Sequence, residues 1–164
     1  MNKPLTAIVV ILSMGMTSSL FAQDFEKGRR AAGVGDYATA YKEWKWLAEG
    51  GLAIAQYTLG MMYQYGQYGG GFAKNYNESI NWYRKAAEQG FAKAQTTLGY
   101  MYERGEGFLQ DNVYSHVWFN LAASNGDELG AKFRDELAKK MTAVDLSKAQ
   151  ELARECVKKQ FKGC

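Results

Sequence analysis

The side chains that could carry catalysis or bind a metal are few in this sequence of 164 residues. It contains one histidine, His116, and two cysteines, Cys156 and Cys164. A zinc site draws its ligands from histidine, cysteine and carboxylate side chains, so His116 would need partners from elsewhere in the chain. The sequence lacks the HExxH, Ser-x-x-Lys, Lys-Thr-Gly and Gly-x-Ser-x-Gly motifs of common hydrolases. We therefore predict no catalytic residue, no metal site and no cofactor.

The two cysteines lie at the end of the sequence. An even number of cysteines in an exported chain favours a disulfide. Eight residues of continuous helix would hold Cys156 and Cys164 about 12 Å apart, which is further than a disulfide allows. A bond between them therefore requires the last helix to end soon after Cys156 and the chain to double back near Gly163. Such a disulfide would staple the terminal helix, and the sequence leaves open whether the two cysteines pair within one chain.

Residues 1–22 have the pattern of a secretory signal peptide. Lys3 precedes an uncharged apolar run, and Ser18, Ser19 and Ala22 supply the small residues expected before a cleavage site. A membrane anchor is the alternative, but the apolar core of about 15 residues is shorter than the ~20 that a spanning helix needs. We predict cleavage after Ala22 and a periplasmic or secreted protein without a membrane span.

The charge of the chain argues against a nucleic-acid partner. Loss of residues 1–22 would remove one lysine and no acidic residue, which lowers the formal net charge from +3 to +2. Nucleic-acid-binding domains carry a clustered basic face. The small cluster of Lys158, Lys159 and Lys162 is interpreted as a solvated terminus. No nucleic acid is therefore predicted as a partner.

The strongest pattern in the chain is an internal repeat. The segment GLAIAQYTLGMMYQYG at residues 51–66 recurs as GFAKAQTTLGYMYERG at residues 90–105, with an offset of 39. A second piece, NWYRKAAEQG at residues 81–90, recurs as VWFNLAASNG at residues 117–126, with an offset of 36. Two helical pieces that repeat together at this period predict stacked helix pairs, which form a solenoid.

These motifs resemble the Sel-one-like repeat, a relative of the tetratricopeptide repeat. The pieces AQTTLGYMYERGEG and NWYRKAAEQG carry the resemblance, which extends over roughly residues 36–126. It implies an all-α, right-handed α/α superhelix of about four helix pairs that holds other proteins. The expected parts of the domain at 23–164 are a degenerate first pair at 24–50, repeats at about 51–90 and 91–126, and a C-terminal capping pair at 127–164.

Positions that match between the two copies are those that stacking requires. A glycine inside a helix costs about 1 kcal/mol relative to alanine, so Gly60 and Gly99 are predicted to admit a neighbouring group at close range. Gln56 and Gln95 are predicted to bond backbone groups at a turn. The remaining matched residues assigned to packing are Ala55, Leu59, Tyr63, Ala94, Leu98 and Tyr102.

The second helix of each pair supplies large side chains at recurring positions. His116 takes the place of Ile80 and Tyr41 in the repeat alignment, which favours a packed, structural histidine. The aromatic residues of these helices could suggest a ligand cage, but their recurrence favours a core. They are Trp44, Trp82, Tyr83, Trp118 and Phe119.

Positions that differ between the copies fall on one side of the first helix of each pair. If this side lines a groove, the groove presents Tyr57, Met61, Tyr65, Tyr100 and Arg104. Tyrosine and arginine commonly anchor partners, and methionine adds an adaptable contact. We predict that a peptide or protein lies along this groove. Ordinary sequence drift on a solvated face is the alternative.

The first copy also carries extra residues in its turn, near Tyr68 and Gly69. Loops that are lengthened on one edge of a repeat array often mark the binding side, so Tyr68 is included in the predicted binding surface. Flexible surface decoration is the alternative interpretation.

The predicted function is that of an interaction module or scaffold in the cell envelope. Its partner would be an unidentified protein or peptide, and the chain is expected to be a monomer without catalysis of its own. The alternative is a hydrolase of cell-wall or β-lactam compounds. That alternative rests on family analogy alone, because the chain lacks the dense cysteine pairs of the relatives associated with β-lactams.

Overall fold

The computed structural model describes residues 23–66 and 73–164, and every regular element within them is an α-helix. The predicted signal peptide and Tyr68 lie outside the described residues. The first helix, α1, covers residues 23–33. The others are α2 (Tyr37–Glu49), α3 (Ala53–Tyr65), α4 (Tyr76–Ala87), α5 (Ala92–Arg104), α6 (Asn112–Ser124), α7 (Glu128–Ala138) and α8 (Ala143–Lys158).

Polar side chains start the second helix of each regular pair. The side chain of Asp36 accepts a hydrogen bond from the backbone of Thr39, and Asn75 caps α4 through Glu78 in the same way. Asp111 caps α6 by accepting from the backbone amides of Val113 and Tyr114. Such caps satisfy amide groups that have no partner inside the helix.

The first helices of the regular pairs begin differently, directly after a tight glycine turn. Gly90 has a φ of +79° and precedes α5, which starts without a side-chain cap. Gly51 occupies the equivalent place before α3, which also starts without a side-chain cap, and has a φ of +94°. These angles lie in the left-handed region that favours glycine, so the repeated glycine fixes how one pair leads into the next.

Within each regular pair, an aromatic ring of the second helix presses against a glycine of the first. A Cβ atom added at Gly60 would overlap the ring of Tyr83, and one added at Gly99 would lie 2.6 Å from two atoms of the Phe119 ring. Gly28 of α1 faces the indole ring of Trp44 in the same manner. The predicted close approach at Gly60 and Gly99 is confirmed, and the predicted all-α fold of helix pairs is confirmed with it.

A buried glutamine joins each pair to the one before it. Gln56 Nε2 donates to the carbonyl oxygen of Ala48 at 3.1 Å, and Gln95 Nε2 donates to that of Ala87 at 3.0 Å. Each glutamine also accepts a hydrogen bond from the end of its own pair. Gln89 Nε2 donates to Gln56 Oε1 at 2.7 Å, and Asn125 Nδ2 donates to Gln95 Oε1 at 2.9 Å. The predicted bonds to backbone groups at turns are thus confirmed.

The C-terminal helices, which were expected to form a capping pair over residues 127–164, are arranged differently from the regular pairs. Both α7 and α8 pack against α6, but they do not pack against each other as the earlier pairs do. The sequence explains the difference, since Asp135 takes the place of Gly99 at an offset of 36. Eight residues after its N-cap, where α6 has Phe119, α8 has Gln150. Ala131 also replaces the joining glutamine. No ring can therefore interlock α7 with α8, and α8 closes the end of the stack on α6 instead.

The last helix is held by the predicted disulfide between Cys156 and Cys164, whose Cα atoms are 5.7 Å apart. The helix ends at Lys158, and Gln160 and Phe161 then adopt positive φ angles as the chain doubles back. Phe161 packs against the main core and lies beside Gly90, at the turn between α4 and α5. The staple therefore ties the C-terminus to the body of the repeats.

Candidate partner-binding groove

A concavity lies between α3, α5 and the beginning of α7. It has a volume of about 470 Å³. Its lining residues are Tyr57, Gln64, Tyr65, Lys93, Thr96, Thr97, Tyr100, Arg104, Glu106, Asp127 and Leu129. We refer to this concavity as the groove.

The groove brings together most of the residues that were expected to face a partner. Tyr57, Tyr65, Tyr100 and Arg104 all line it. Met61 is not among the lining residues, and its partly buried side chain packs against the main core. The structure therefore places four of the expected side chains on one surface.

The α3 wall of the groove is aromatic. The ring of Tyr57 is partly buried, with its centroid 5.5 Å from that of Tyr83 and 5.3 Å from that of Phe91. Tyr65 follows the buried Gln64 in α3 and is 55% exposed. Tyr57 thus forms a fixed base, while Tyr65 offers an open ring to solvent.

The α5 wall is a single stripe of Lys93, Thr97, Tyr100 and Arg104, which follow one face of the helix at spacings of three and four residues. The ring of Tyr100 is held 4.5 Å from that of Phe133 in α7, measured between centroids. The Arg104 guanidinium lies 5.7 Å from the centroid of the Tyr100 ring, a distance at which cation and ring attract.

The hydroxyl group of Tyr100 remains neutral over the physiological pH range. Burial raises the pKa of Tyr100 above its ordinary value, and the nearby Glu103 carboxylate adds to the increase. A neutral phenol can both donate and accept a hydrogen bond. Tyr100 therefore combines a packed ring with a polar tip, as partner-binding tyrosines commonly do.

Two carboxylates of the groove are engaged by the protein itself. Tyr83 Oη donates to Gln64 Oε1 at 2.7 Å, and Gln64 Nε2 donates to Glu106 Oε2 at 3.3 Å. Asp127 accepts a hydrogen bond of 2.9 Å from Thr96 Oγ1 and caps α7 through the backbone of Leu129, also at 2.9 Å. These bonds fix the turn after α5 and the start of α7 as rigid edges of the groove.

Leu129 and Asp127 were not among the residues expected from the sequence. Leu129 is 55% exposed and adds apolar surface to the groove from the start of α7. The repeat register contains a signal for it, because Leu129 follows Lys93 by 36 residues, and Lys93 follows Ile54 by 39. Extending the alignment beyond Gly126 would have placed a third helix on this face.

The groove has the features of a binding surface. His116 does not line it, being 3% exposed, and its Nδ1 has no hydrogen-bond partner. Among residues 23–66 and 73–164, no three histidine, cysteine or acidic side chains are placed to hold a metal ion. The lining residues offer aromatic surface, hydroxyl groups and two exposed cations, which suit recognition of another chain.

Comparison with known proteins agrees with the repeat pattern. The Sel1 repeat family, named above as the Sel-one-like repeat, matches residues 53–91 and 92–127. The chain therefore contains two Sel1 repeats. Its two matched repeats are the helix pairs α3–α4 and α5–α6. The first helix of each pair, α3 or α5, forms one wall of the groove. None of the curated proteins matches the chain by sequence.

Two solved structures share this architecture. One is a protective antigen present in uropathogenic Escherichia coli strains, described as displaying an SLR fold, with a TM-score of 0.76 and 28% identity over 86% of this chain. The other is a Sel1 repeat protein from Oxalobacter formigenes, with a TM-score of 0.59 and 35% identity over 67% of this chain. The match spans 31% of the first relative and 45% of the second.

The family sets the broad function. Sel1 repeats form helical scaffolds that typically serve protein–protein interaction rather than catalysis. In the part of the chain that the structure describes, none of the helices has the length and apolar character needed to cross a membrane.

Proposed function

We propose that the protein is an extracytoplasmic interaction module that holds a segment of another protein in the groove and performs no chemistry of its own. The observation that carries this proposal is the placement of the residues that differ between the repeats. Tyr57, Tyr65, Tyr100 and Arg104 are not required to match by the stack, and they line one concavity. A surface that packing leaves free can be selected for binding.

The groove is preorganised, which favours affinity. Tyr100 packs against Phe133, and Tyr57 packs against Tyr83 and Phe91, so neither ring must be ordered when a partner arrives. Association is weakened by every side chain that binding immobilises. Aromatic side chains that are already fixed therefore retain more of their contact energy as binding energy.

An extracytoplasmic location, either periplasmic or secreted, is supported by two features. The Cys156–Cys164 disulfide is of the kind that persists in oxidising compartments. The apolar run after Lys3 has the pattern of a cleaved signal peptide. Fractionation of cells followed by N-terminal sequencing tests this proposal, with Gln23 expected as the first residue of the exported chain. An uncleaved chain in the membrane fraction would contradict it.

Site-specific photo-crosslinking in intact cells tests the groove itself. A photoreactive amino acid at Tyr65 or at Leu129 should capture a partner, because both side chains are 55% exposed at the edges of the groove. The matched control position is Val144 on α8, which is 78% exposed and lies outside the groove. Equal capture from all three positions, or capture from Val144 alone, would overturn the proposal.

The absence of catalysis is tested on the purified protein. Incubation with a chromogenic β-lactam and with a peptidoglycan digest should give no turnover above the rate without protein. Turnover that survives purification and saturates with substrate would instead support a hydrolase. Sedimentation of the same sample should show a monomer.

A further inference from the structure

The charged residues of the groove fall into two classes. Glu106 and Asp127 accept hydrogen bonds from protein donors, and Glu106 also lies near the Lys74 ammonium group. Lys93 and Arg104 are exposed, and neither forms an ion pair with any residue of 23–66 or 73–164. The carboxylates of the groove are thus already used, whereas its two cations are available to a partner.

The presence of a lysine at position 93 is not explained by the stability of α5. It is the second residue of the helix, where the positive end of the helix dipole disfavours a cation. The first matched repeat has Ile54 at this place and Tyr65 in place of Arg104, so the stack does not require a basic residue at either position. The α5 wall therefore differs from the α3 wall by two positive charges that packing does not explain.

Spacing along the helix defines the shape of a complementary ligand. Lys93 and Arg104 are eleven residues apart, which is about 16 Å at the rise of an α-helix. An extended peptide covers that distance in about five residues. Between the two cations lie Thr97 and the ring of Tyr100, with Leu129 across the groove.

We infer that the groove binds an extended acidic segment of a partner protein, with one carboxylate at Lys93, another at Arg104 and an apolar residue between them against Tyr100 and Leu129. This inference rests on the proposed function and specifies the chemistry of the partner. Side chains four or six residues apart project from the same side of an extended chain. The two carboxylates are therefore expected at one of these spacings.

Other acidic residues of the protein further restrict where the two carboxylates of the partner can lie. Glu103 lies about 80° around α5 from Lys93 and so lies off the stripe, and Glu128 borders the depression that adjoins the groove at Lys93. Both would repel a carboxylate placed away from the two cations. Such repulsion is a common source of specificity, and it selects two spaced carboxylates over a uniformly acidic tract.

The test uses fluorescent peptides of about ten residues, a length that spans the groove in extended form. The first peptide carries two glutamates four residues apart with a central leucine in a Gly/Ser background. Matched peptides carry glutamine or lysine in place of both glutamates, or place the glutamates on adjacent positions. Binding to the purified protein is measured by anisotropy at low and at high salt.

The spaced-glutamate peptide should bind about tenfold more tightly than the glutamine peptide, since two exposed ion pairs contribute that much together. The difference should shrink at high salt. A Lys93→Glu/Arg104→Glu protein should reverse the preference in favour of the lysine peptide. Its control is a Lys148→Glu/Arg154→Glu protein, which changes two exposed cations of α8 outside the groove and should bind as the wild type does.

Failure of this inference is distinguishable from failure of the groove. Equal binding of the glutamate, glutamine and lysine peptides, or no binding of the spaced-glutamate peptide, would overturn the acidic segment. If photo-crosslinks at Tyr65 and Leu129 then persist in the Lys93→Glu/Arg104→Glu protein, the groove remains and its ligand has other chemistry. Loss of those crosslinks in the α8 control protein as well would overturn both the acidic segment and the groove as the binding surface.

Discussion

The two central helix pairs and the C-terminal helices pack against their neighbouring helices in different ways. In the central pairs, an aromatic ring fits against a glycine, and a glutamine bonds the preceding turn, so neighbouring helices interlock. At the C-terminus, Asp135 and Ala131 replace the glycine and the glutamine, and α8 folds against α6 under a disulfide. The comparison shows that a repeat is extended by interlocking residues and is closed by their loss.

The difference also explains where the groove ends. Because α7 lacks the interlock with α8, its side chains serve α5 and α6 instead, as Phe133 does beside Tyr100 and Phe119. The beginning of α7 then contributes Asp127 and Leu129 to the groove. The helix at which the regular pairing ends, α7, therefore also completes the groove.

The largest effect is expected where the interlock is broken. Gly99→Val places a branched side chain where even a Cβ atom would lie 2.6 Å from the Phe119 ring, and we expect a loss of about 3 kcal/mol in the free energy of unfolding. Urea denaturation measures it. Gly33→Ala is the control, since no atom lies within 4 Å of that position; a similar loss in both variants would contradict the interlock.

The disulfide is expected to matter slightly less and only at the C-terminal end. Cys156→Ala/Cys164→Ala should lower the free energy of unfolding by roughly 2–3 kcal/mol in the chain-entropy model. Amide hydrogen exchange should become faster in α8 while α5 keeps its protection. Equal acceleration in α5 and α8 would show that the two regions are not stabilised separately.

The joining glutamine should come next in size. Gln95→Ala removes the bond to the Ala87 carbonyl oxygen and leaves the Asn125 amide without its acceptor, which should cost about 2 kcal/mol. Ala131→Gln introduces the same side chain at the aligned position of α7, where we expect a change within about 0.5 kcal/mol. Thermal or urea unfolding of both proteins provides the comparison, and equal effects would remove the distinction between the regions.

The smallest effect concerns His116, at the contact between the central pairs and α7. Burial lowers the pKa of His116, the nearby Arg134 lowers it further, and Asp135 opposes the shift. The folded protein thus binds a proton less readily than the unfolded chain, so stability should be complete above pH 6.5 and decline as the pH falls below it. His116→Leu should flatten this decline in unfolding curves recorded from pH 7 to about pH 5. A decline of unchanged slope would contradict the assignment.

Much of this fold could be predicted from the sequence because it contains two copies of the same packed unit. Two copies with matching residues identify which positions the stack constrains, and the turn-bonding role of Gln56 and Gln95 followed from that match. The caps at Asp36 and Asn75 are local as well, since each hydrogen bond joins residues three positions apart. Interactions that repeat, or that are local, are readable without coordinates.

What the sequence did not predict depends on contacts that occur once. Met61 and Tyr100 occupy equivalent positions, yet Tyr100 contacts Phe133 of α7 and lines the groove, whereas Met61 is partly buried against the main core. The repeat pattern decays after Gly126, so the separation of α7 from α8 had no second copy to reveal it, and Leu129 could be found only by extending the repeat register. A single sequence identifies a repeated contact far more readily than a unique one.

The most direct test of the central claim is to map partner binding on the protein by amide chemical shifts. With the protein captured by photo-crosslinking added to the isotopically labelled chain, shifts should concentrate in α5 between Lys93 and Arg104 and at the start of α7 near Leu129. Residues of α8 should keep their positions in the spectrum. Shifts centred on α8, with α5 unchanged, would contradict the claim that the face left free by packing is the one that binds.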